Sequence, residues 1–401
     1  MSSSKVPVSA AADEGTRMQT FLEEIFRPLY RAEQRRWARA YLRGLIHVSG
    51  KKTPRRMART ELLPAAAAHG LHQFINASPW EWEPVRRRLA LRVAASAAPY
   101  AWTVAELIIP KRGEHSVGVH RRLDTATGRT VNCQRAVGLF LATDSHCFPV
   151  GWSLVLDDAW GRDRQRRLRA RIPEAETTRP VGAHVLDYAA DVAAQPRLHP
   201  IPWVLDLTRS DDAGGVLAGL ARHRLDIVCE VEPGQVVITG RTPTVMTVGG
   251  LMEARHAREP HVIARQTAEG RSKAVPIHAY AGTVRLPGRR AGGDGSRGYR
   301  VLELPDPGGP AAARYWITSL TDRRVEEVMA LVRSRAAVRS TVATLQERFG
   351  VLDFAGRSFP GWHHHMTMTS AAYVYQHLYG APGPVPLSAA APPAAPAEAA
   401  S

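Results

Sequence analysis

Lysine and cysteine are what this chain has least of. Of its 53 basic side chains five are lysines, Lys5, Lys51, Lys52, Lys111 and Lys273. The three cysteines, Cys133, Cys147 and Cys229, form no Cys-x-x-Cys pair and leave an odd number. That argues against a disulfide scaffold and a structural zinc site, and it fits a reducing cytoplasm. No apolar run approaches the ~18 residues of a membrane span, and the opening MSSSKVPVSAAADEG lacks the apolar segment of an export signal, so no membrane partner is expected. Walker A, Gly-x-Gly-x-x-Gly and Gly-x-Ser-x-Gly elements are missing, which leaves nucleotide hydrolysis and serine hydrolase chemistry without support and implies no small-molecule cofactor.

Arginine is present in excess. With 37 acidic residues against 53 basic ones the formal charge is +16, which calls for a polyanionic partner, nucleic acid before an acidic membrane leaflet. Arginine's planar fork pairs with phosphate and with guanine edges, so double-stranded DNA is the expected partner. A hydrophobic content of 44% in 401 residues is enough for two or three packed units.

The pattern along the chain divides it. Residues 1–18 and 381–401 are rich in Ala, Ser and Pro and read as disordered tails. Over 19–95 apolar residues recur at helical spacing (Phe21, Ile25, Phe26, Leu29, then Trp37, Tyr41, Leu45) among Arg35, Arg36, Arg39 and Arg43, giving a helical, basic, DNA-binding unit. Lys51 and Lys52 with Arg55 and Arg56, and Arg86, Arg87 and Arg88 after Trp80 and Trp82, suit phosphate contacts beside aromatic anchors, or else a solvated basic face. From Tyr100 the text turns to short apolar runs: Trp102 to Ile109, Arg135 to Ala142, Phe148 to Leu156, Pro202 to Leu207 and Asp226 to Val231. With a helix from Asp212 to Arg224 before the last run, residues 96–232 read as a mixed α/β sheet. Residues 233–313 alternate between Gly/Pro turns and read as a β-rich insertion, and 314–380 hold two helices, Val325 to Arg348 and Gly361 to about Tyr379.

Six segments in this order, RAEQRRWARAYLRGL, LHQFINASPWEWEPVRRRLA, PKRGEHSVGVHRR, TGRTVNCQRAVGLFLATD, RYWITSL and FAGRSFPGWHHHMTMTSAA, resemble insertion-sequence transposases of the insertion sequence 701 group, in the DDE superfamily. The resemblance runs from about Phe21 to Leu378. It implies an α/β fold: an RNase H-like mixed sheet with flanking helices, an N-terminal helical domain and a β-rich insertion. It also implies two Mg²⁺ ions held by Asp, Asp and Glu for phosphoryl transfer, a homodimer joining two DNA ends, and a cytoplasmic, nucleoid-associated protein.

Residue by residue the resemblance is uneven. Where the family has Asp-Asp-Thr-Gly this chain has Ala105-Glu106-Leu107-Ile108, so Glu106 is either a displaced metal ligand or a polar strand residue. Asp206 in WVLDLTRSDD matches the second Asp, as a ligand or as a strand-end cap, while Asp211 and Asp212 suit the start of the next helix. In LVRSRAAVRSTVATLQERFG the family's flanking Arg, catalytic Glu and later Lys fall on Arg335, Arg339 and Gln346. A guanidinium at Arg339 opposes a metal ion, and a shifted alignment would reach Glu347 only two turns further on. Arg335, and Lys111 in PKRG, are carried over as DNA contacts. His363, His364 and His365 point ~100° apart on a helix and cannot face one ion, so they read as structural or DNA-proximal. The sequence therefore predicts a degenerate DNA-binding transposase. Its rivals are an active enzyme using Mg²⁺ at Asp206, Glu106 and a further acid, and a recruited interaction protein with no DNA role; without activity no cofactor is expected.

Overall fold

In the computed structural model, which describes residues 8–60, 63–64, 66–124, 128–254, 257–266, 272–287, 297–305 and 313–380, helices come first. They are α1 (Val8–Ile25), α2 (Ala32–His47), α3 (Pro54–Thr60), α4 (Ala67–Asn76) and α5 (Trp82–Ser96). Residues 8–18, expected in the N-terminal tail, belong to α1: an Ala-rich run favours helix, and Met18, Phe21, Leu22 and Ile25 bury its far half. The rest of the two expected tails lies outside the described residues.

The sheet begins with β1 (Ala101–Pro110), β2 (His120–Asp124), β3 (Arg129–Ala142) and β4 (Cys147–Val155). Next come α6 (Asp158–Arg162), α7 (Arg164–Ala170) and α8 (Val181–Ala193), three helices the sequence pattern left unassigned. Then follow β5 (Trp203–Asp206), α9 (Ala213–Arg222) and β6 (Ile227–Val231). Asp212 starts α9, its Oδ1 accepting from Gly215 N at 2.8 Å. β3 runs antiparallel between β4 and β1, and β1, β5 and β6 are parallel, so the strand order β4-β3-β1-β5-β6 is that of an RNase H-like sheet.

The insertion does not stand apart from this sheet. It supplies β7 (Val236–Thr239), β8 (Thr244–Thr247), α10 (Val248–Glu253), β9 (Arg258–Gln266), β10 (Ser272–Tyr280), β11 (Val284–Arg285) and β12 (Arg300–Leu304), followed by β13 (Arg314–Thr318). β13 pairs antiparallel with β6, and β12, β10 and β9 extend the sheet outward from it. β11, β7 and β8 form a small second sheet.

The single long helix expected over Val325–Arg348 is two, α11 (Val325–Leu331) and α12 (Ser334–Arg348). Between them the backbone bonds tighten to i−3, from Val332 N to Met329 O and from Arg333 N to Ala330 O. No proline or glycine marks the break. At the break Arg333 sits over the Tyr100 ring and donates to Asp144.

The last helix, α13 (Phe359–Tyr379), runs through the interior and is buried from Phe359 to Tyr375 except for Pro360. One hydrophobic core passes without a break from α1–α5 across α13 into the sheet. The polar side chains of α13 act as ties across that core. Arg86 of α5 donates through Nε to Thr367 Oγ1 (2.8 Å), through Nη1 to Trp152 O (2.7 Å) and through Nη2 to His363 Nδ1 (3.1 Å). His364 stacks on Trp80 at 3.9 Å with its ring nitrogens 2.8 Å from Ile75 O and Trp80 O. His365 Nδ1 accepts from the Tyr41 hydroxyl and its Nε2 donates to Gly350 O, each at 2.9 Å. Gly350 has φ +67, and a Cβ there would strike the Lys52 side chain, so glycine alone suits this turn.

Two predictions follow from these ties. Burial pushes His364 and His365 down to about 4, and burial next to Arg86 holds His363 well below the usual histidine range. The unfolded chain, with histidines near ~6.5, therefore binds more protons than the folded one between those values. Stability should be full above pH ~6.5 and fall as pH drops toward 4; urea midpoints across that range should decline, and a His365→Gln variant should decline less steeply. Separately, Arg86→Ala should cost about 3 kcal/mol or more in urea unfolding, because it strands several buried acceptors, whereas Arg87→Ala on the exposed side should stay within about 0.5 kcal/mol.

Candidate active site

β5 is a short buried strand, Trp203-Val204-Leu205, whose last residue, Asp206, emerges at the sheet's carboxyl edge. β6 lies parallel beside it, and the register sets Glu230 opposite Asp206. Asp206 Oδ1 accepts from Thr208 N (3.1 Å) and Thr208 Oγ1 (2.6 Å), a local turn that fixes its carboxylate. Glu230 is 5% exposed. Its two oxygens accept from Arg314 Nε (2.6 Å) and Nη2 (2.7 Å), a fork-to-fork pair.

Arg335 closes the site. From the first turn of α12 its Nη2 reaches Asp206 Oδ2 and its Nη1 reaches Glu230 Oε2, so one guanidinium bridges both carboxylates. Its side chain is 13% exposed. Burial lowers its pKa, Asp206 raises it again and neighbouring Arg339 lowers it; as arginine it stays charged. Arg339 lies one turn along the same helix and is exposed.

Glu106 does not join this group. β1 pairs with β5 through Trp102↔Trp203 and Thr103↔Val204, so strand alternation puts Ala105 on the face of Val204 and Asp206, and Glu106 on the other. There Glu106 Oε2 accepts from Arg135 Nε at 2.7 Å. The β1 residue that faces Asp206 is thus an alanine, with nothing to offer a cation.

Residues 24–277 match the family model described as DDE superfamily endonuclease. The chain belongs to that family. The match covers more than half of the chain, including Glu106, Asp206 and Glu230, and ends before α12. No curated protein matches the chain.

The family generally uses a divalent metal ion, and the residues around Asp206 do not fit one. Two carboxylates there face two guanidinium groups, Arg314 and Arg335, and Arg339 lies close enough to Arg335 to lower its pKa. Among the described residues no group of three or more His, Cys, Asp and Glu side chains is placed to hold a metal. At ~4 Å and an effective dielectric of ~20, one guanidinium repels a divalent ion by about 8 kcal/mol, twice the unit-charge value. What the arrangement does is neutralise two strand-end carboxylates internally.

The basic residues singled out from sequence divide into two sets. Arg35, Arg36, Arg39, Arg43, Lys51, Arg55, Arg56 and Arg87 are exposed. Arg88 is half-buried and donates to Glu24 O. Arg86, Lys52 and Arg335 are turned inward, contrary to their expected role as DNA contacts. Lys52 bonds Val48 O and is 3% exposed, and Arg86 is held by α13. Lys111 is also engaged, its Nζ donating to Phe354 O at 2.8 Å, and burial lowers its pKa to about 8. A signal for Arg86 existed: it shares the helical stripe of Val85, Leu89 and Val93, all buried. Glu230 was overlooked by sequence reasoning, although it is a lone acid in the apolar run Ile227-Val228-Cys229-Glu230-Val231.

Arg335→Ala should destabilise the fold by about 3–5 kcal/mol, since it leaves Glu230 with half of its compensation in a buried place. Arg339→Ala should stay within about 0.5 kcal/mol. Equal effects of the two substitutions in urea unfolding would contradict this assignment.

Proposed function

We propose that this protein is a degenerate insertion-sequence transposase, of the insertion sequence 701 group, that binds double-stranded DNA and no longer cleaves it. The observation that carries the reading is the Arg335 guanidinium lodged between Asp206 and Glu230, where strand cleavage would need a metal ion. Glu106, turned to the other face of β1 and paired with Arg135, and Arg339, at the expected position of the catalytic Glu, support it. DNA binding is supported by the exposed arginines of α2, with Arg35, Arg39 and Arg43 spaced one turn apart, continuing into Lys51, Arg55, Arg56 and Arg59 around α3. This pooling on adjacent elements favours a DNA role over a recruited interaction protein without one. A homodimer engaging two DNA ends and residence on the nucleoid belong to the same proposal. Among the described residues no helix is long and apolar enough to cross a membrane.

One observation favours a second reading, an active nuclease: Asp206 and Glu230 are register partners on parallel strands. Labelled-duplex binding and supercoiled-plasmid nicking with Mg²⁺ or Mn²⁺ separate the two. The degenerate reading expects retarded duplex whose affinity collapses between about 50 and 200 mM salt, with no nicking by the natural protein or by Asp206→Ala. An Arg36→Glu, Arg43→Glu, Arg55→Glu variant should bind at least about tenfold more weakly. Nicking that disappears in Asp206→Ala would establish the second reading instead, and undiminished binding by the triple variant would remove α2 and α3 from the interface.

A further inference from the structure

On the sheet face opposite Asp206 lies a cavity of about 520 Å³, between α5, α8, the start of α13 and strands β1, β3 and β4. Its position follows from the same alternation that places Glu106: Trp102 and Leu139 line it, and both share Glu106's face. It is therefore a separate feature from the carboxylate pair and its arginine bridge. Its size is in the range of small-molecule sites.

Trp82, His184 and His363 line the cavity, and each carries a ring nitrogen, Nε1 of Trp82 and Nε2 of both histidines, that is buried without a hydrogen-bond partner among the described residues. His184 is 4% exposed and His363 5%. A guanidinium can only donate, so Arg86 Nη2 makes His363 Nδ1 an acceptor and leaves the ring's one proton on Nε2. Burial and the nearby arginine hold that ring neutral. Trp82 Nε1 and His363 Nε2 are thus two unused donors, and the two rings stack at 4.6 Å with 11° between their planes. Native proteins rarely leave buried donors unpaired, and a ligand with acceptor atoms would pair them.

The charges at this cavity run against the rest of the molecule. Glu83, Glu176, Asp187 and Asp191 line it against Arg86, Arg87 and Arg179, in a chain of net charge +16. Asp187 is paired with Arg179 at 2.6 Å, whereas Glu176 and Asp191 have no ion-pair partner among the described residues. Partial burial raises the pKa of both, as do the neighbouring carboxylates Glu83 and Asp187, against the opposite pull of Arg179 on Glu176 and of Arg87 on Asp191. These carboxyl groups would welcome an amino group and repel a phosphate. Trp82, Trp102, Tyr188 and Phe359 add flat apolar walls.

We infer that this cavity binds an uncharged planar heterocycle bearing both an amino group and ring acceptors, a free nucleoside such as adenosine or cytidine, and excludes its phosphorylated form. The ring lies against the aromatic walls, its acceptors take the Trp82 and His363 protons, and its amino group meets Asp191 or Glu176. This differs in kind from duplex binding by α2 and α3, which needs phosphates.

Titration calorimetry of the full chain with adenosine, cytidine, uridine and adenosine 5′-monophosphate tests the inference. Adenosine or cytidine should bind, with uridine and the monophosphate each weaker by about tenfold or more. Asp191 is exposed, so Asp191→Arg should keep the melting temperature and duplex binding while weakening adenosine about tenfold and narrowing its advantage over the monophosphate. Glu176→Gln serves as the second variant if Asp191→Arg fails to fold, with the same weakening of adenosine expected. No heat from any nucleoside at millimolar concentration, a monophosphate that binds as well as adenosine, or unchanged adenosine affinity in a folded variant would overturn it. Loss of duplex binding alone would count against the DNA reading and leave this one standing.

Discussion

A carboxylate taken out of water must be met by a positive charge, and in this fold that requirement falls on the edge shared by β5 and β6. Glu230 is nearly fully buried and Asp206 is its register partner. In a metal-dependent nuclease two divalent ions would meet such charges. Here Arg314 reaches in from β13 and Arg335 from α12. The bridge therefore ties together three parts of the chain that are far apart in sequence: the core strands, the strand that leads out of the insertion, and α12. The tight turn between α11 and α12 gains a purpose in this light, since it sets Arg335 in the first turn of α12, where its side chain reaches the sheet.

The other half of the molecule also meets its buried polar groups with partners, one of them the Arg86 guanidinium and the rest neutral. α13 is buried along most of its length yet carries histidines, threonines and a serine, and each of the three consecutive histidines faces a different neighbour. Arg86 of α5 approaches His363, Ile75 and Trp80 approach His364, and Tyr41 of α2 and Gly350 approach His365. A hydrophobic helix in this place would bury as much surface but would leave the rotation of α13 against α2, α4 and α5 less defined. The ~100° between successive side chains, which prevents the trio from holding one ion, is what lets it tie three elements.

Much of the fold was legible in the sequence because it is written in periodicities. The apolar runs at Trp102, Arg135, Phe148, Pro202 and Asp226 became β1, β3, β4, β5 and β6, and the helix after Asp212 became α9. The short helices α6 and α7 escaped because they lack enough turns to show a stripe, and the break before α12 escaped because no proline or glycine marks it. Family likeness singled out Asp206 and Arg339, and Arg335 as a DNA contact rather than a partner of two carboxylates; it gave no sign of the face on which Glu106 lies, since a one-residue difference in a strand reverses the side chain. Glu230 and Arg314 went unnoticed for a related reason. Charge in the sequence was read as surface, and whether an arginine faces DNA or a buried carboxylate is decided by neighbours that only the folded chain brings near.

The central claim is that a guanidinium occupies the place of the metal. Water-proton relaxation with Mn²⁺, recorded on the natural protein and on Asp206→Ala, tests it directly. The account predicts no binding at millimolar Mn²⁺ that depends on Asp206, so the two titrations should coincide. Tight Mn²⁺ binding by the natural protein that vanishes in Asp206→Ala would contradict it, because Arg335 would then have to give way to the ion.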